Sequence, residues 1–353
     1  MIKLPLFFPD ATRAVVRSLD QIDIKNTQTS GILVNTFHLY RDLGEKNLEK
    51  HGGIRKFMNW DGVIISDSGG FQVYSLGKSQ GYKNTTNDKG VIFRMDGTKT
   101  LFTPEISIKF QFLLNTDLMV VLDDFTEPRL SKKDSYKSVQ RTLKWAVESK
   151  KIFDAECDRR KINNPSRPYL CGVVQGGNYL DLRAECTQKL VEMGFDAIGY
   201  GGWPFGEEED LFLKIAETIK KYTPQNCLLY GLGIGTPKDI VNFHSLGYEI
   251  FDCVLPTRDA RHGRLYVYNA KNIDYIDVTK NNFYSFYSPK EKDLGNAEPV
   301  SRACDCLLCK NYSKGYLTHL FRIKDTSYFR LATIHNLRFY SLLTEKLRGT
   351  RIT

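Results

Sequence analysis

Eight short apolar segments recur along this chain of 353 residues, and they constrain its fold more than any other feature. Each is as long as a β-strand, is rich in Val, Ile and Leu, and ends near a Gly, Asp, Asn or Gln. They are apolar without alternation, as expected for strands buried on both faces. The segments are LPLFFPDAT, GILVNT, GVIISDSGG, LMVVLDD, YLCGVVQGG, DAIGYGGW, CLLYGLGIG and EIFDCVLPTR.

Segments with helical periodicity separate many of these runs. TPEISIKFQFLL opens with a helix start signal, Thr103 followed by Pro and Glu. Apolar residues at helical spacing also mark SYKSVQRTLKWAVESKKIFDAE, NYLDLRAECTQKLVEMG, EEEDLFLKIAETIKKY and TPKDIVNFHSLG. Strands alternating with helices predict an α/β protein with a (β/α)8 TIM barrel. An open doubly wound sheet is the alternative, but no GxGxxG fingerprint follows the first strand.

The pattern changes after the eighth run. We therefore expect a catalytic barrel over residues 1–258 and a second subdomain over residues 259–353, which packs on the barrel and includes its closing helix. The segment YVYNAKNIDY suggests short strands in this second part.

Polar residues or glycines stand at the ends of five apolar runs. They are Asp67, Asp123, Gln175, Gly202 and Asp252. In a (β/α)8 barrel the carboxyl ends of the strands meet at one mouth, where the chemistry takes place. For a single Asp at such a position, a role as the cap of the next helix is the better explanation. The recurrence at five ends favours a shared site.

Three cysteines in six residues, Cys304, Cys306 and Cys309, form a C-x-C-x2-C motif, and His335 follows 26 residues later. Three thiolates and an imidazole suit tetrahedral Zn²⁺, and four protein ligands indicate a structural rather than a catalytic site. We expect one zinc ion per chain. His319 is the alternative fourth ligand.

The charge distribution points to a polyanionic partner. The formal net charge is +9, and residues 301–353 contain ten Lys and Arg against three Asp and Glu. Nucleic acid is the first candidate, and a solvated surface rich in lysine is the alternative. No apolar run approaches the ~20 residues of a membrane helix, and the N-terminus does not read as a signal peptide. We expect a cytoplasmic protein without membrane contact.

Four motifs carry a resemblance that runs in order from about Pro5 to the C-terminus: SDSGGFQVYSL, VVQGG, FDCVLPTR and CDCLLCKNYSKGYLTHLF…TIHNLRFY. In these motifs the chain resembles the bacterial tRNA-guanine transglycosylases, the queuine tRNA-ribosyltransferase family. The resemblance implies a homodimeric zinc protein that acts on tRNAs with a G-U-N anticodon, those for Asp, Asn, His and Tyr. It would exchange the wobble guanine for a 7-substituted 7-deazaguanine base through a covalent ribosyl-enzyme.

The resemblance also implies roles for individual residues. Asp252 would be the nucleophile and Asp67 the general acid/base. The base would be bound by Asp123, Gln175, Gly201 and Gly202, between Phe71 and Leu232, with Trp203 and Glu207 near its 7-substituent. Anticodon phosphates would be held by Arg258 and Arg261, and zinc by Cys304, Cys306, Cys309 and His335 rather than His319.

The loop GGWPFGE departs from the family, whose bacterial members usually have Leu-Ala-Val after the glycines. Pro204 has no N–H, so the Trp203–Pro204 peptide can offer only its carbonyl, which suits an ammonium group. Glu207 would support the same charge. This favours 7-aminomethyl-7-deazaguanine or queuine over the neutral cyano precursor, and the bulk of Phe205 leans towards the aminomethyl base. A loop that merely packs Trp203 on the barrel rim is the alternative.

Three other functions remain open at this point. A related transglycosylase acting on DNA would lack a preference for the 2′-hydroxyl. A barrel glycoside hydrolase using Asp67 and Asp252 would cleave simple aryl glycosides, although the basic C-terminal part argues against a neutral sugar substrate. A non-catalytic RNA-binding partner subunit would not need to keep both acids.

Overall fold

The computed structural model describes residues 3–71, 75, 79, 86–95, 98–125, 130–202 and 209–349. In chain order, its strands are β1 (Leu6–Pro9), β2 (Gly31–Asn35), β3 (Val63–Asp67), β4 (Thr86–Asn87), β5 (Gly90–Met95), β6 (Thr98–Phe102), β7 (Leu118–Val120), β8 (Tyr169–Val174), β9 (Ala197–Tyr200), β10 (Leu228–Gly231), β11 (Ile250–Cys253), β12 (Leu265–Tyr268) and β13 (Tyr284–Tyr287).

Eight of these strands form one parallel sheet in the order β1-β11-β10-β9-β8-β7-β3-β2. A backbone bridge between Asp10 and Leu33 joins the two ends of this sheet, and the Ala11 N–H donates to the Leu33 carbonyl at 2.7 Å. All eight barrel strands fall within the eight apolar segments of the sequence. The predicted (β/α)8 barrel is therefore confirmed.

Helices follow or flank the barrel strands. They are α1 (Gln21–Asn26), α2 (Thr36–Asp42), α3 (Gly44–His51), α4 (Ile54–Met58), α5 (Pro104–Leu114), α6 (Lys132–Arg160), α7 (Leu180–Glu192), α8 (Glu209–Tyr222), α9 (Pro237–Ser245), α10 (Leu255–Arg261), α11 (Leu307–Asn311), α12 (Lys314–Arg322) and α13 (Thr326–Gly349). No described helix is both long enough and apolar enough to cross a membrane.

Local sequence explains where several helices begin. The Thr103 and Thr236 hydroxyls accept hydrogen bonds from the first turns of α5 and α9, and each helix has a proline at its first position. Asn35 caps α2 in the same way, because its side chain accepts from the His38 N–H at 3.0 Å. Such caps satisfy N–H groups that have no partner inside the helix.

Alternate residues of each barrel strand point inwards, and they form one buried cluster. It consists of Leu6, Phe8, Leu33, Ile65, Leu118, Val120, Cys171, Val173, Ala197, Tyr230 and Ile250. Residues between them, such as Phe7, Ile64 and Phe251, belong to clusters that pack under the helices. The strands lack an apolar–polar alternation because both of their faces are buried.

Two smaller sheets supplement the barrel. The strands β4, β5 and β6 form an antiparallel sheet between β3 and α5, which the sequence analysis did not anticipate. In the C-terminal part, β12 coincides with the start of the segment expected to form short strands, and it pairs with β13, which lies beyond that segment. This hairpin covers α13, where the Tyr268 ring stacks on Phe339 with centroids 4.1 Å apart.

The long helix α13 closes the barrel. Its Tyr340 packs on Phe7 of β1, with ring centroids 4.4 Å apart, and donates a hydrogen bond to the Gly235 carbonyl at 2.6 Å. Tyr340 is 1% exposed. One side chain therefore ties the C-terminal helix both to the first strand and to the loop after β10.

We expect Tyr340→Phe to lower the free energy of unfolding by about 1 kcal/mol, because the buried Gly235 carbonyl loses its hydrogen bond while the ring packing is kept. Chemical denaturation of the purified variant measures this. Tyr275→Phe is the matched control, since Tyr275 is 69% exposed and should show no change. Equal stability of both variants would contradict the proposed tie.

Candidate active site and metal centre

A cavity of about 340 Å³ opens at the carboxyl ends of the barrel strands. The residues predicted for the site that line it are Asp67, Phe71, Asp123, Gly201, Gly202, Leu232, Asp252 and Arg258. Gln175 lies directly beside it through its bond to Asp123. The mouth of the barrel thus brings together residues that are far apart in the sequence, as parallel strand ends do.

Asp252 lies at the end of β11, next to Cys253. Its Oδ1 accepts hydrogen bonds from the Tyr230 hydroxyl at 2.8 Å and from the Gly233 N–H at 2.9 Å. Oδ2 accepts none from the described residues. Burial raises the pKa of Asp252 to about 7, against the opposing effect of these two donors. The hydrogen bonds to Oδ1 therefore fix the orientation of the carboxylate, and Oδ2 is the oxygen that is available to react with a substrate.

Asp67 ends β3, directly opposite Asn35 in the neighbouring strand. Asn35 donates from Nδ2 to Asp67 Oδ2 at 2.9 Å, and the Gly69 N–H donates to Oδ1 at 3.3 Å. Burial raises the pKa of Asp67. Gly69 has φ +84, and a Cβ there would lie 2.4 Å from the Phe37 Cβ, so this turn excludes any larger residue.

Asp123 and Gln175 form a second polar pair. The Gln175 amide donates to Asp123 Oδ2 at 2.6 Å, and burial raises the pKa of Asp123 to about 7. Gly201 leaves no room for a side chain beside them, since a Cβ would lie 2.7 Å from the Val174 carbonyl. A planar ligand with N–H donors would find an acceptor, an amide and bare backbone here.

Asp124, the second acid of the LDD motif, does not face this pair. Its carboxylate pairs with Arg141 of α6, and its backbone N–H donates to the Thr142 hydroxyl at 3.0 Å. It is a buried link to α6. Of the two acids, only Asp123 lines the cavity.

Two aromatic rings form one wall of the cavity. Phe71 is 39% exposed, and its ring centroid lies 5.0 Å from that of Phe125 at an interplanar angle of 65°. Leu232 lines the cavity from the loop after β10. Trp203 and Glu207 lie outside the described residues, so their predicted roles stay predictions.

The two predicted phosphate-binding arginines are placed differently. Arg258 lines the cavity, and its side chain is 46% exposed. Arg261, one turn later in α10, does not line it and donates from Nη1 to the Thr257 carbonyl at 2.8 Å.

Arg183 of α7 is a residue that the sequence analysis missed. It is 3% exposed and donates to the carbonyls of Gly177, Val174 and Gly201 at 2.9, 2.7 and 2.7 Å. One guanidinium thus connects the loop that carries Gln175 to the glycines after β9. Nothing in the helical pattern of α7 distinguishes this Arg from a surface residue, because its carbonyl partners are distant in sequence.

Asp10 and Asn35 were also missed, although a sequence signal exists for both. Each continues the inward-facing alternation of its strand, after Leu6 and Phe8 in β1 and after Leu33 in β2. Both line the cavity. Counting two residues beyond the last interior apolar residue would have found them.

A separate cluster forms between the C-terminal loop and α13. The ligand atoms of Cys304, Cys306, Cys309 and His335 lie within 4.8 Å of one another. His335 Nδ1 is 3.7, 3.6 and 3.3 Å from the three sulfur atoms. Its Nε2 lies 2.8 Å from the Tyr266 carbonyl, so it carries the proton and leaves the Nδ1 lone pair towards the thiols. These residues could hold a metal ion with soft tetrahedral coordination.

We expect Asp252→Asn to stabilise the protein at neutral and alkaline pH. The pKa of this carboxyl is raised from 3.8 to about 7, so between these values the unfolded chain releases a proton that the native state retains. Stability therefore falls as the pH rises through this window. The variant keeps Oδ1 as an acceptor for the two donors but no longer carries a charge in the cavity. Its free energy of unfolding should therefore exceed that of wild type by roughly 2–4 kcal/mol at pH 8 and be equal to it at about pH 4.

Thermal melting of wild type and variant across this pH range measures the effect. Asp274→Asn, at an exposed position, is the control and should leave the melting temperature unchanged. A variant that melts at or below the wild-type temperature at pH 8 would contradict the burial of an ionisable Asp252.

Comparison with known proteins agrees with this geometry. A family model described as queuine tRNA-ribosyltransferase matches residues 1–350. Proteins of that name from Caldanaerobacter subterraneus subsp. tengcongensis and Thermoanaerobacter sp. (strain X514) are 39% and 38% identical, over 99% of this chain and 86% of each relative. The protein of that name from Acinetobacter baylyi is 36% identical over 99% of this chain and 84% of the relative. The chain belongs to the queuine tRNA-ribosyltransferase family.

Proposed function

We propose that this protein is a tRNA-guanine transglycosylase, a pentosyltransferase. It exchanges the wobble guanine of tRNAs with a G-U-N anticodon, those for Asp, Asn, His and Tyr, for a 7-substituted 7-deazaguanine. One observation carries the proposal. Two half-buried acids, Asp252 and Asp67, share a cavity with the Asp123–Gln175 pair in a chain that the family model matches almost throughout.

The exchange proceeds in two displacements at C1′ of the ribose. Asp252 attacks through Oδ2, the C1′–N9 bond breaks, and guanine takes the bonding electrons together with a proton from the Asp67 carboxyl. The incoming base then returns a proton from its N9 to Asp67 and displaces Asp252 from the face that guanine left, so the configuration at C1′ is retained. One glycosidic bond replaces another, and atoms and protons balance without further co-reactants.

The polar pair at β7 and β8 suits the edge of a guanine-like base. The Asp123 carboxylate accepts from its N–H donors, and the Gln175 amide donates to its C6 carbonyl. Burial raises the pKa of Asp123 although the Gln175 amide already donates to it, and the N–H donors of a bound base would stabilise its charged form further. For the 7-substituent we propose an amine, as in 7-aminomethyl-7-deazaguanine or queuine, on the basis of the sequence of the loop after β9.

The Cys3His cluster is proposed to hold one structural Zn²⁺. The metal would cross-link the loop of Cys304, Cys306 and Cys309 to α13, and four protein ligands leave no open position for substrate. Arg338 of α13 reinforces the link, with ion pairs to Asp305 at 2.5 Å and to Glu345 at 2.6 Å. Residues 259–353 would thus act as the basic, RNA-contacting subdomain of a cytoplasmic enzyme.

A homodimer is proposed through the face that carries this cluster. Tyr312 and Tyr316 stack there with centroids 5.3 Å apart and an interplanar angle of 19°, yet they are 38% and 44% exposed. Leu307 on the preceding helix is 38% exposed. Exposed aromatic residues grouped in this way are typical of protein interfaces.

The function is tested by exchange of radiolabelled guanine into a purified tRNA with a G-U-N anticodon. We expect wild-type exchange, and displacement of the label by 7-aminomethyl-7-deazaguanine. Asp252→Ala should abolish exchange and the covalent RNA adduct seen after denaturing electrophoresis, because no other group traps C1′. Asp274→Ala, at an exposed position, should behave as wild type. Near wild-type exchange by Asp252→Ala would refute its role as nucleophile.

Metal analysis should find one zinc ion per chain in wild-type protein. Cys306→Ser should lose it and melt at a lower temperature, since a structural site contributes folding free energy directly. Cys227→Ser is the matched control, because Cys227 is a free, half-buried cysteine outside the cluster and its loss should leave zinc bound. Wild-type protein without zinc would end this proposal.

Light scattering at micromolar concentration tests the assembly. Wild type should be dimeric, and the double variant of Tyr312→Ala and Tyr316→Ala should be monomeric with unchanged helix content, because it loses the aromatic contact. Tyr275→Ala removes an exposed aromatic residue elsewhere and should remain dimeric. A monomeric wild type would exclude the dimer.

A further inference from the structure

The mouth of the barrel has two chemically different halves. Following the strand order, β7, β8 and β9 are neighbours and place Asp123, Gln175 and Gly201 on one side. The strands β11, β1, β2 and β3 lie together on the other side, and β10 connects β9 to β11. Because the first half suits a base, the second half lies where the attached ribose would be.

The second half carries four polar side chains, one on each strand or at its end: Asp252, Asp10, Asn35 and Asp67. Asp252 and Asp67 are assigned to the reaction. Both ends of the Asn35 amide are occupied, because Nδ2 donates to Asp67 and Oδ1 accepts from the His38 N–H. Of these four side chains, Asp10 is the one to which no role has been assigned.

Asp10 is held beside the nucleophile. The strand β1 pairs with β11 so that Phe8 is opposite Asp252, and Asp10 follows two residues later on the same inward-facing side. Thr12 fixes its carboxylate, since both the Thr12 N–H, at 3.1 Å, and the Thr12 hydroxyl donate to Oδ1. Oδ2 accepts no hydrogen bond from the described residues.

Asp10 also lies close enough to Asp67 and Asp252 for its charge to affect them. After burial, which is the main cause, the Asp10 carboxylate contributes to the raised pKa values of Asp67 and Asp252. An acid that faces two others in a cavity needs a donor when substrate binds.

Within an RNA chain, the 3′ and 5′ oxygens of a ribose are esterified, so the 2′-hydroxyl is its only hydroxyl donor. A carboxylate accepts hydrogen bonds and repels the flanking phosphates. We propose that Asp10 accepts a hydrogen bond from the 2′-hydroxyl of the ribose whose base is exchanged, and thereby selects ribonucleotides over deoxyribonucleotides. This inference rests on the proposed transglycosylase function.

The test uses an RNA stem-loop with a G-U-N loop and the same molecule with one 2′-deoxyguanosine at the exchanged position. For wild type, kcat/KM of guanine exchange should be about 10- to 100-fold higher on the all-ribose substrate, as expected for a hydrogen bond to a charged group. Asp10→Ala should lower the rate on the all-ribose substrate to that on the deoxy substrate and leave the latter nearly unchanged. Asp10→Asn keeps an acceptor oxygen and should retain part of the preference.

Asp274→Ala, at an exposed position, is the control and should keep the full preference. Equal losses on both substrates for Asp10→Ala would overturn the inference, because they would show that Asp10 acts through charge or packing. A wild type that exchanges guanine on both substrates at the same rate would overturn it too, while the proposed function stands. A wild type without exchange on the all-ribose substrate would overturn the proposed function and this inference with it.

Discussion

The inward-facing alternation of eight short strands is the constraint on which the site depends. In β1, β2, β3 and β11, the last interior residue and the residue that lines the mouth are two positions apart, so both side chains point to the same side of the strand. Ile250 and Asp252 in β11 and Ile65 and Asp67 in β3 show this directly, since the first of each pair is core and the second lines the cavity. A shift of one residue in any strand would bury its polar end group under a helix.

The same constraint makes the site costly to fold. Carboxylates at strand ends face a cavity walled by Val120, Val173 and Leu232, where burial disfavours their charged forms. The structure offsets part of this cost with donors that aim at single oxygens, such as the Tyr230 hydroxyl on Asp252 and the Asn35 amide on Asp67. Among the described residues, Oδ2 of Asp252 meets no donor, as is common where function and stability compete.

The helix α13 couples the barrel to the Cys3His cluster. Tyr340 contacts the first strand and the loop after β10, and His335, more than one turn earlier, faces the three cysteines. Asn336 lies between them and donates to the carbonyls of Pro256 and Arg264, at 3.0 Å each. The helix that carries His335 therefore also contacts both ends of α10, which carries Arg258 to the cavity. The Cys3His cluster and the mouth of the barrel are thus connected through one helix.

Local sequence patterns were sufficient to predict many elements of the fold and some residues of the site. The eight strands, the helix starts at Thr103 and Thr236 and the acids at the ends of β3 and β11 follow from runs of apolar residues and their end groups, because these preferences act over a few neighbouring residues. The resemblance of whole motifs then indicated the family, and it favoured His335 over His319 as the fourth residue of the cluster. In the folded chain, His335 lies beside Cys304, Cys306 and Cys309.

Other features exist only in the closed barrel. The three-stranded sheet of β4, β5 and β6 depends on pairing across a segment with little apolar periodicity, so no local signal marks it. Arg183 resembles any helical Arg until folding places the carbonyls of Val174 and Gly201 around it. In the sequence, Asp10 is an acid that follows a proline and has no distinguishing neighbour. In the structure, the bridge to Leu33 places β1 beside β2, so that Asp10 lies in the same cavity as Asp67 and Asp252. The sequence alone determined which residues end each strand, and only the closure of the ring determined which of them meet, because that depends on hydrogen bonds between strands far apart in the chain.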